Sequence, residues 1–151
     1  MSASTQSIQV YVFEDRFYVP DVGRTVEEVS VDIEPVRTVA AVDAAGLAGA
    51  LQATIERGNP RIPTPNRNSY EPIIIKASSA KSWRDFEKRA LCFMITRYPE
   101  HFEVVPSKRT RGGRWDFNHS NIGTLPSEAG ARGLAAWLVE YVKSVESATS
   151  S

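Results

Sequence analysis

The stretch Ile8-Gln-Val-Tyr-Val-Phe-Glu-Asp-Arg-Phe-Tyr-Val19 contains two apolar runs separated by a charged turn. Aliphatic residues occupy every second position from Ile8 to Val12, and this two-residue period predicts a β-strand. Residues 14–16 predict a tight turn, and the second run predicts a return strand that ends at Pro20, because proline cannot donate a backbone hydrogen bond. The stretch therefore predicts that the fold begins with an antiparallel hairpin.

A third strand is predicted directly after this hairpin, at residues 29–34. Its aliphatic residues, Val29, Val31 and Ile33, again occupy every second position. Pro35 follows at once, and proline in a sheet is confined to edges and strand ends. The first third of the chain is thus predicted to be an acidic antiparallel meander with its third strand at an edge.

Three helices are predicted from capping residues and apolar spacing. Asp43 can cap the first, which runs to about Arg57. The second begins at Ser82, where Ser-x-x-Asp resembles a capping box, and Pro99 ends it. The third is capped by Ser127 and carries a long apolar stripe.

Two segments between the first and second helices have different characters. Residues 59–72 contain four prolines, which makes the segment too long for a plain connection and unsuited to helix or strand. Residues 73–75 are three consecutive isoleucines, and a continuous apolar run is typical of a strand buried on both faces.

A second hairpin is predicted between residues 102 and 117, around a glycine-containing turn at 109–114. The resulting element order predicts an α+β fold, a mainly antiparallel sheet with about three helices packed on one face. The length of 151 residues predicts a single domain over 1–151, with loose termini at about 1–7 and 147–151.

Composition restricts the class of protein. The single cysteine excludes an internal disulfide, and no apolar run is long enough to span a membrane. The first residues lack the charged and apolar layout of a secretory signal. We therefore expect a cytoplasmic protein with no membrane segment.

The charges are segregated along a chain whose formal net charge is zero. Residues 1–60 contain nine acidic residues against four arginines, whereas residues 61–127 contain twelve basic residues against six acidic ones. The acidic residues that we predict to bind a basic protein partner are Glu27, Glu28, Asp32 and Glu34, with Tyr70 as an aromatic anchor. Two other interpretations stay open: a solvated sheet face, or two segments that neutralise each other.

The second hairpin supports an alternative function. Its turn is rich in arginine and glycine, and Arg111 and Arg114 lie close to Trp115 in the sequence, a combination that suits nucleic acid. The neutral net charge and the pI of about 6.7 argue against a dedicated nucleic-acid-binding protein. The glycine spacing does not match a phosphate-binding loop, so an exposed, hydrated hairpin tip is the competing interpretation.

Residues for catalysis or metal binding are scarce. The only histidines are His101 and His119, and the sequence contains no catalytic motif with a defined spacing. Cys92 is expected to be a buried inert thiol within the second helix. We therefore expect no enzyme, no cofactor and no metal; a hydrolase or nuclease built on Asp116 and His119 is the weakest alternative.

Three segments give the sequence a family resemblance: residues 10–19, the acidic residues 29–36, and the helix start at 82–89. In this layout the chain resembles the small α+β immunity proteins of bacterial contact-dependent growth inhibition systems. The resemblance implies a non-enzymatic protein that binds a cognate toxin domain, often a nuclease, and blocks its active or substrate-binding surface. That family has no shared active-site signature, so the resemblance assigns no functional residue here.

Overall fold

The computed structural model describes residues 5–65, 72–109, 115–117 and 122–149. Within them the strands are β1 Gln6–Phe13, β2 Arg16–Arg24, β3 Ser30–Ala40, β4 Leu91–Arg97, β5 His101–Arg109, β6 Trp115–Phe117 and β7 Gly123–Pro126. The helices are α1 Ala44–Arg57, α2 Ile73–Ser78, α3 Trp83–Arg89 and α4 Gly130–Thr149. A 3-10 turn, Ser127–Ala129, precedes α4.

All strand pairs of the sheet are antiparallel, and the order is β3-β2-β1-β4-β5. The outer edge of β5 is shared, because β7 pairs with its first half and β6 with its second half. The central pair is β1 with β4, in a register that places Val10 opposite Phe93. The predicted α+β class with a mainly antiparallel sheet is confirmed.

The helices divide between the two faces of the sheet. The long helices α1 and α4 cover one face, which we call the α1/α4 face, over the aliphatic side of β1 that includes Ile8 and Val10. The short helices α2 and α3 lie over the other, the α2/α3 face, where Tyr11 and Phe13 pack against Phe86 at ring-centroid distances of 5.5 and 5.1 Å. The helices therefore cover both faces of the sheet and not the one face that was predicted. β1 contributes side chains to both cores.

The first hairpin is confirmed, with one correction. Glu14 and Asp15 form its turn with positive φ angles of 51° and 62°, as a two-residue hairpin turn requires. β2 does not stop at Pro20 but continues to Arg24. The missing N–H of Pro20 is accommodated because pairing with β1 ends at Tyr18, and pairing with β3 shifts its register directly after Pro20.

The predicted boundaries of α1 and the edge position of β3 are also confirmed. Asp43 caps α1, since its Oδ1 accepts from the backbone N–H of Gly46 at 2.9 Å, and Gly58 ends the helix with a φ of 74°. β3 lies at one end of the strand order, as Pro35 indicated, but the predicted end at residue 34 is wrong, because the strand continues through Pro35 to Ala40.

The strand predicted at residues 73–75 is wrong, because this segment begins α2. Pro72 precedes the helix with a φ of −58°, an angle that suits a helix start. Only Ile74 of the three isoleucines is fully buried, while Ile73 and Ile75 are half-buried. A short apolar run cannot distinguish a strand from a helical turn by its periodicity.

The second predicted helix is right at its start and wrong in its length. Ser82 Oγ accepts from the backbone N–H of Asp85 at 3.1 Å, so the predicted cap is confirmed. The helix α3 ends at Arg89, and the residues expected to continue it form β4, which places Cys92 on a strand. Pairing with both β1 and β5 satisfies the backbone of β4, and this long-range pairing overrides the local helical spacing.

The last predicted helix begins two residues later than expected, because α4 starts at Gly130. Ser127 opens the 3-10 turn, and its backbone N–H donates to the Glu100 carbonyl. β7, which was not predicted, precedes this turn and pairs with β5. A Cβ at Gly123 would lie 2.4 Å from the Trp137 ring, so this glycine lets α4 approach β7 closely.

Two neighbouring residues of β4 test whether this segment is a strand. Phe93 is fully buried on the α1/α4 face, whereas Met94 is 44% exposed on the opposite face. We expect Phe93→Ala to lower the free energy of unfolding by about 3–5 kcal/mol and Met94→Ala to change it by less than about 1 kcal/mol, as measured by urea denaturation. Equal losses for both variants would contradict the strand and favour the helix.

Candidate partner-binding surface

Glu27 and Glu28 lie in the turn between β2 and β3. The turn is closed by the backbone N–H of Thr25, which donates to the Val29 carbonyl at 3.0 Å, and by Thr25 Oγ1, which accepts from the backbone N–H of Val29 at 3.2 Å. Glu28 has a positive φ of 65°. Both glutamates are exposed, so the turn presents two acidic side chains to solvent.

These two glutamates differ in what compensates their charge. Glu28 forms ion pairs with Arg61 at 2.7 Å and with Arg24 at 3.8 Å. Glu27 accepts a hydrogen bond from Thr64 Oγ1 at 2.7 Å, and this bond holds the pKa of its carboxyl below the usual range. Within the described residues, Glu27 therefore carries the less compensated charge of the pair.

Asp32 and Glu34 occupy β3 in different environments. Asp32 is partly buried, and its Oδ2 accepts from the Tyr11 hydroxyl at 2.6 Å. Burial raises the pKa of Asp32 to about 6, although the hydrogen bond from Tyr11 lowers it. Glu34 is exposed, and its backbone carbonyl accepts from Arg57 at 2.8 Å. The four predicted acidic residues thus lie along one edge of the sheet but do not form one uniform exposed surface.

Asp21 is the acidic residue that the sequence did not single out. Its carboxylate is fully buried and receives Arg37 Nη1 at 2.6 Å and Arg57 Nη1 at 2.8 Å. Since Arg57 ends α1 and Arg37 lies on β3, this carboxylate ties a helix end to the edge strand. No local pattern distinguishes Asp21 from the surface acids, because its partners lie 16 and 36 residues away.

Ion pairs also connect the acidic and basic segments of the chain. Arg61 reaches Glu28, and Arg89 reaches Glu14 in the turn between β1 and β2. Arg89 also contacts Asp85 and lies 4.6 Å from the Phe13 ring centroid. The two segments therefore partly neutralise each other, as one of the open interpretations held.

A basic surface covers α2, α3 and the connection between them. Its exposed cations are Lys76, Lys81, Arg84 and Lys88. None of these four side chains has a carboxylate within 4 Å among the residues that the structure describes. Trp83 is 40% exposed in the same region and contacts Phe86 at 5.9 Å between ring centroids.

A pocket of about 310 Å³ opens beside Trp83, between β3 and the short helices. Among the residues that the structure describes, its walls are formed by Asp32, Pro72, Ile73, Ile74 and Trp83. The pocket combines a carboxylate, an exposed indole and aliphatic surface. No sequence motif marked it, because its residues come from three separate elements.

The second hairpin is confirmed in its backbone, since Ser107 pairs with Phe117 and Arg109 with Trp115. Phe102 and Val104 do not face β6, however; they pair with Leu125 and Gly123 of β7. The proposed contact residues Tyr70, Arg111 and Arg114, and also His119, lie outside the described residues.

Two of the residues considered for chemistry, His101 and Cys92, have described surroundings. His101 stacks on Tyr98 at 4.6 Å between ring centroids. Cys92 is buried, as expected, and burial raises the pKa of its thiol well above the usual range. Among the described residues no three histidine, cysteine or carboxylate side chains are grouped for a metal. No helix in these parts of the chain is long and apolar enough to cross a membrane.

Comparisons with known proteins identify the fold and no family. No protein-family model and no curated protein matches the chain. The fold occurs in a toxin–immunity complex. The chain in question, from the CdiA-CT/CdiI toxin and immunity complex of Yersinia pseudotuberculosis, superimposes with a TM-score of 0.64 at 10% identity, covering 90% of this chain and 94% of that one. A protein of unknown function from Neisseria meningitidis superimposes with a TM-score of 0.67 at 11% identity, covering 92% and 95%.

The buried carboxylate of Asp21 generates a stability prediction. Asp21→Ala leaves Arg37 and Arg57 without their shared partner, and we expect the free energy of unfolding to fall by about 2–3 kcal/mol in urea denaturation at pH 7. Glu56→Ala, at an exposed acid of α1 that accepts from Gln52, should change it by less than about 0.5 kcal/mol. Equal effects would show that Asp21 is an ordinary surface acid.

The raised pKa of Asp32 generates a prediction about pH. The folded protein retains this proton up to about pH 6, whereas the unfolded chain releases it near pH 4. The contribution of Asp32 to the free energy of unfolding is therefore greatest below pH 4. This contribution is lost as the pH rises through about 6, by on the order of 1–3 kcal/mol.

Asp32→Asn should remove the dependence of stability on the titration of Asp32. The free energy of unfolding of this variant, relative to that of the wild type, should therefore rise between pH 4 and pH 7 in urea denaturation. Tyr11→Phe removes the bond that lowers the pKa, and carbon NMR of the Asp32 carboxyl should show titration at a still higher pH. A carboxyl that titrates near pH 4 in the wild type would contradict the assignment.

Proposed function

We propose that this chain is a non-enzymatic immunity protein that binds and neutralises a cognate bacterial toxin domain. It does so by covering the active or substrate-binding surface of the toxin, which can be a nuclease. The observation that carries the proposal is the shared fold with a chain of a CdiA-CT/CdiI toxin and immunity complex, over nine-tenths of the present chain. The fold alone does not specify function. The distribution of charge on the surface is therefore the second argument for the proposal.

The surface suits recognition of a macromolecule rather than chemistry on a small substrate. Exposed charges of both signs lie on separate elements, with Glu27, Glu28 and Glu34 along the edge of β3 and the basic residues on α2 and α3. Such charges raise association rates and exclude wrong partners, while buried contacts near the centre of an interface provide most of the affinity. In this proposal the acidic edge contacts a basic toxin surface.

Tyr70, Arg111 and Arg114 remain proposed contact residues of the same interface.

Nucleic-acid binding through the basic hairpin at 108–117 is the alternative function. One observation favours nucleic-acid binding by this chain, because α2, α3 and their connection carry exposed cations and an exposed tryptophan, a combination found in surfaces that bind single strands. Such binding would weaken steeply with salt. An affinity for nucleic acid that does not change with salt concentration would contradict this alternative.

Co-expression with the product of the adjacent upstream gene, as the candidate toxin, tests the main proposal. We expect the two proteins to purify as a complex, and cells that express the toxin to survive only when this chain is present. Absence of both the complex and the protection would reject the proposal, whereas a complex without protection would reject neutralisation.

The acidic edge is tested by charge reversal in that complex. Glu27 and Glu34 are exposed, so Glu27→Lys with Glu34→Lys should not disturb the core. We expect an association rate about tenfold slower at low salt, with the difference shrinking as salt rises, measured by stopped-flow mixing. Glu140→Lys, at a 76% exposed side chain of α4, is the matched control and should leave the rate nearly unchanged. Equal slowing by all reversals would place the contact elsewhere.

A further inference from the structure

The pocket beside Trp83 has a carboxylate with spare capacity to accept hydrogen bonds. Asp32 Oδ2 accepts from the Tyr11 hydroxyl, and no other described residue donates to this carboxylate. No buried side-chain oxygen or nitrogen in the described residues lacks a hydrogen-bond partner, so the remaining Asp32 oxygen is open to solvent. With a pKa of about 6, the group is mostly ionised at pH 7.5 and can bind a cation.

The other walls restrict which cation fits. Trp83 is 40% exposed and presents an aromatic ring, which attracts cations over its face. Pro72, Ile73 and Ile74 provide aliphatic surface for an apolar stem. A planar cation on a hydrocarbon stem matches all three features, because a guanidinium can stack on an indole and donate two N–H groups to one carboxylate.

The position of Trp83 is fixed by its own helix. It occupies the first position of α3, directly after the cap at Ser82, and its ring contacts Phe86, which is fully buried. The cations Lys81 and Arg84, next to Trp83 in the chain, are exposed. Their repulsion on an incoming cation is weakened by solvent and salt, whereas the contact with Asp32 is direct.

We infer that this pocket receives one arginine side chain of the partner, with its guanidinium bound to Asp32 and stacked on Trp83. The inference rests on the proposed function for the nature of the partner, but the pocket itself can be tested without the partner. It adds a specific anchoring point on the α2/α3 face to the general attraction of the acidic edge.

Titration with N-ethylguanidinium chloride, followed by the tryptophan indole N–H signals in proton–nitrogen NMR at pH 7.5, tests the pocket. Trp83→Phe assigns the Trp83 signal among the three tryptophans. We expect a saturable shift of that signal with a dissociation constant of about 10 mM, as one ion pair open to solvent on one side and one cation–π contact give. N-ethylurea, which has the same shape without the charge, should cause no saturable shift.

Asp32→Asn keeps the size of the side chain and removes its charge, and it should weaken binding of N-ethylguanidinium at least fivefold. Glu140→Gln, on α4, should leave the titration unchanged. Each of three results would overturn the inference. These are the absence of a shift in the folded wild type, equal binding of N-ethylurea, and undiminished binding of N-ethylguanidinium by Asp32→Asn. Because no toxin is present, these failures would leave the proposed function standing, and failure to form a toxin complex would leave the pocket standing.

Discussion

The pairing of β1 with β4 is the interaction on which the rest of the structure depends. Seven consecutive residues of each strand are matched, from Gln6 with Arg97 to Val12 with Leu91. This pairing joins parts of the chain more than 70 residues apart and places β1 in the centre of the sheet. Since β1 carries aliphatic side chains on one face and Tyr11 and Phe13 on the other, it supports both cores. Without it, neither pair of helices would have a surface to cover.

The same arrangement positions the surfaces proposed for recognition. Tyr11 packs against Phe86 in the core of the α2/α3 face. The Tyr11 hydroxyl in turn orients Asp32 at the edge of the pocket. Asp21 fixes the end of α1 to β3 through two arginines, which holds the edge strand where Glu34 is exposed. The acidic residues of the first sixty positions thus serve different purposes, and burial rather than sequence separates the structural ones from the exposed ones.

Elements stabilised locally could be predicted from the sequence. The turn at Glu14 and Asp15, the cap at Asp43 and the cap at Ser82 depend on neighbours a few residues away, and all three are confirmed. β4 and α2 could not be predicted, because strand pairing and packing on a distant face override their local apolar patterns. The pocket was missed for the same reason, since β3, α2 and α3 meet only in the folded chain. Contacts at Tyr70, Arg111 and Arg114 stay predictions.

The proposed function requires that this chain acts by occupying a toxin surface and not by altering the toxin chemically. Titration of the toxin's enzymatic activity with increasing amounts of this chain tests that claim most directly. Binding with a dissociation constant far below the toxin concentration predicts a linear loss of activity that is complete at about one molecule per toxin and does not depend on incubation time. Complete loss at a small fraction of that ratio, growing with time, would mean that each molecule inactivates many toxins and would contradict the account.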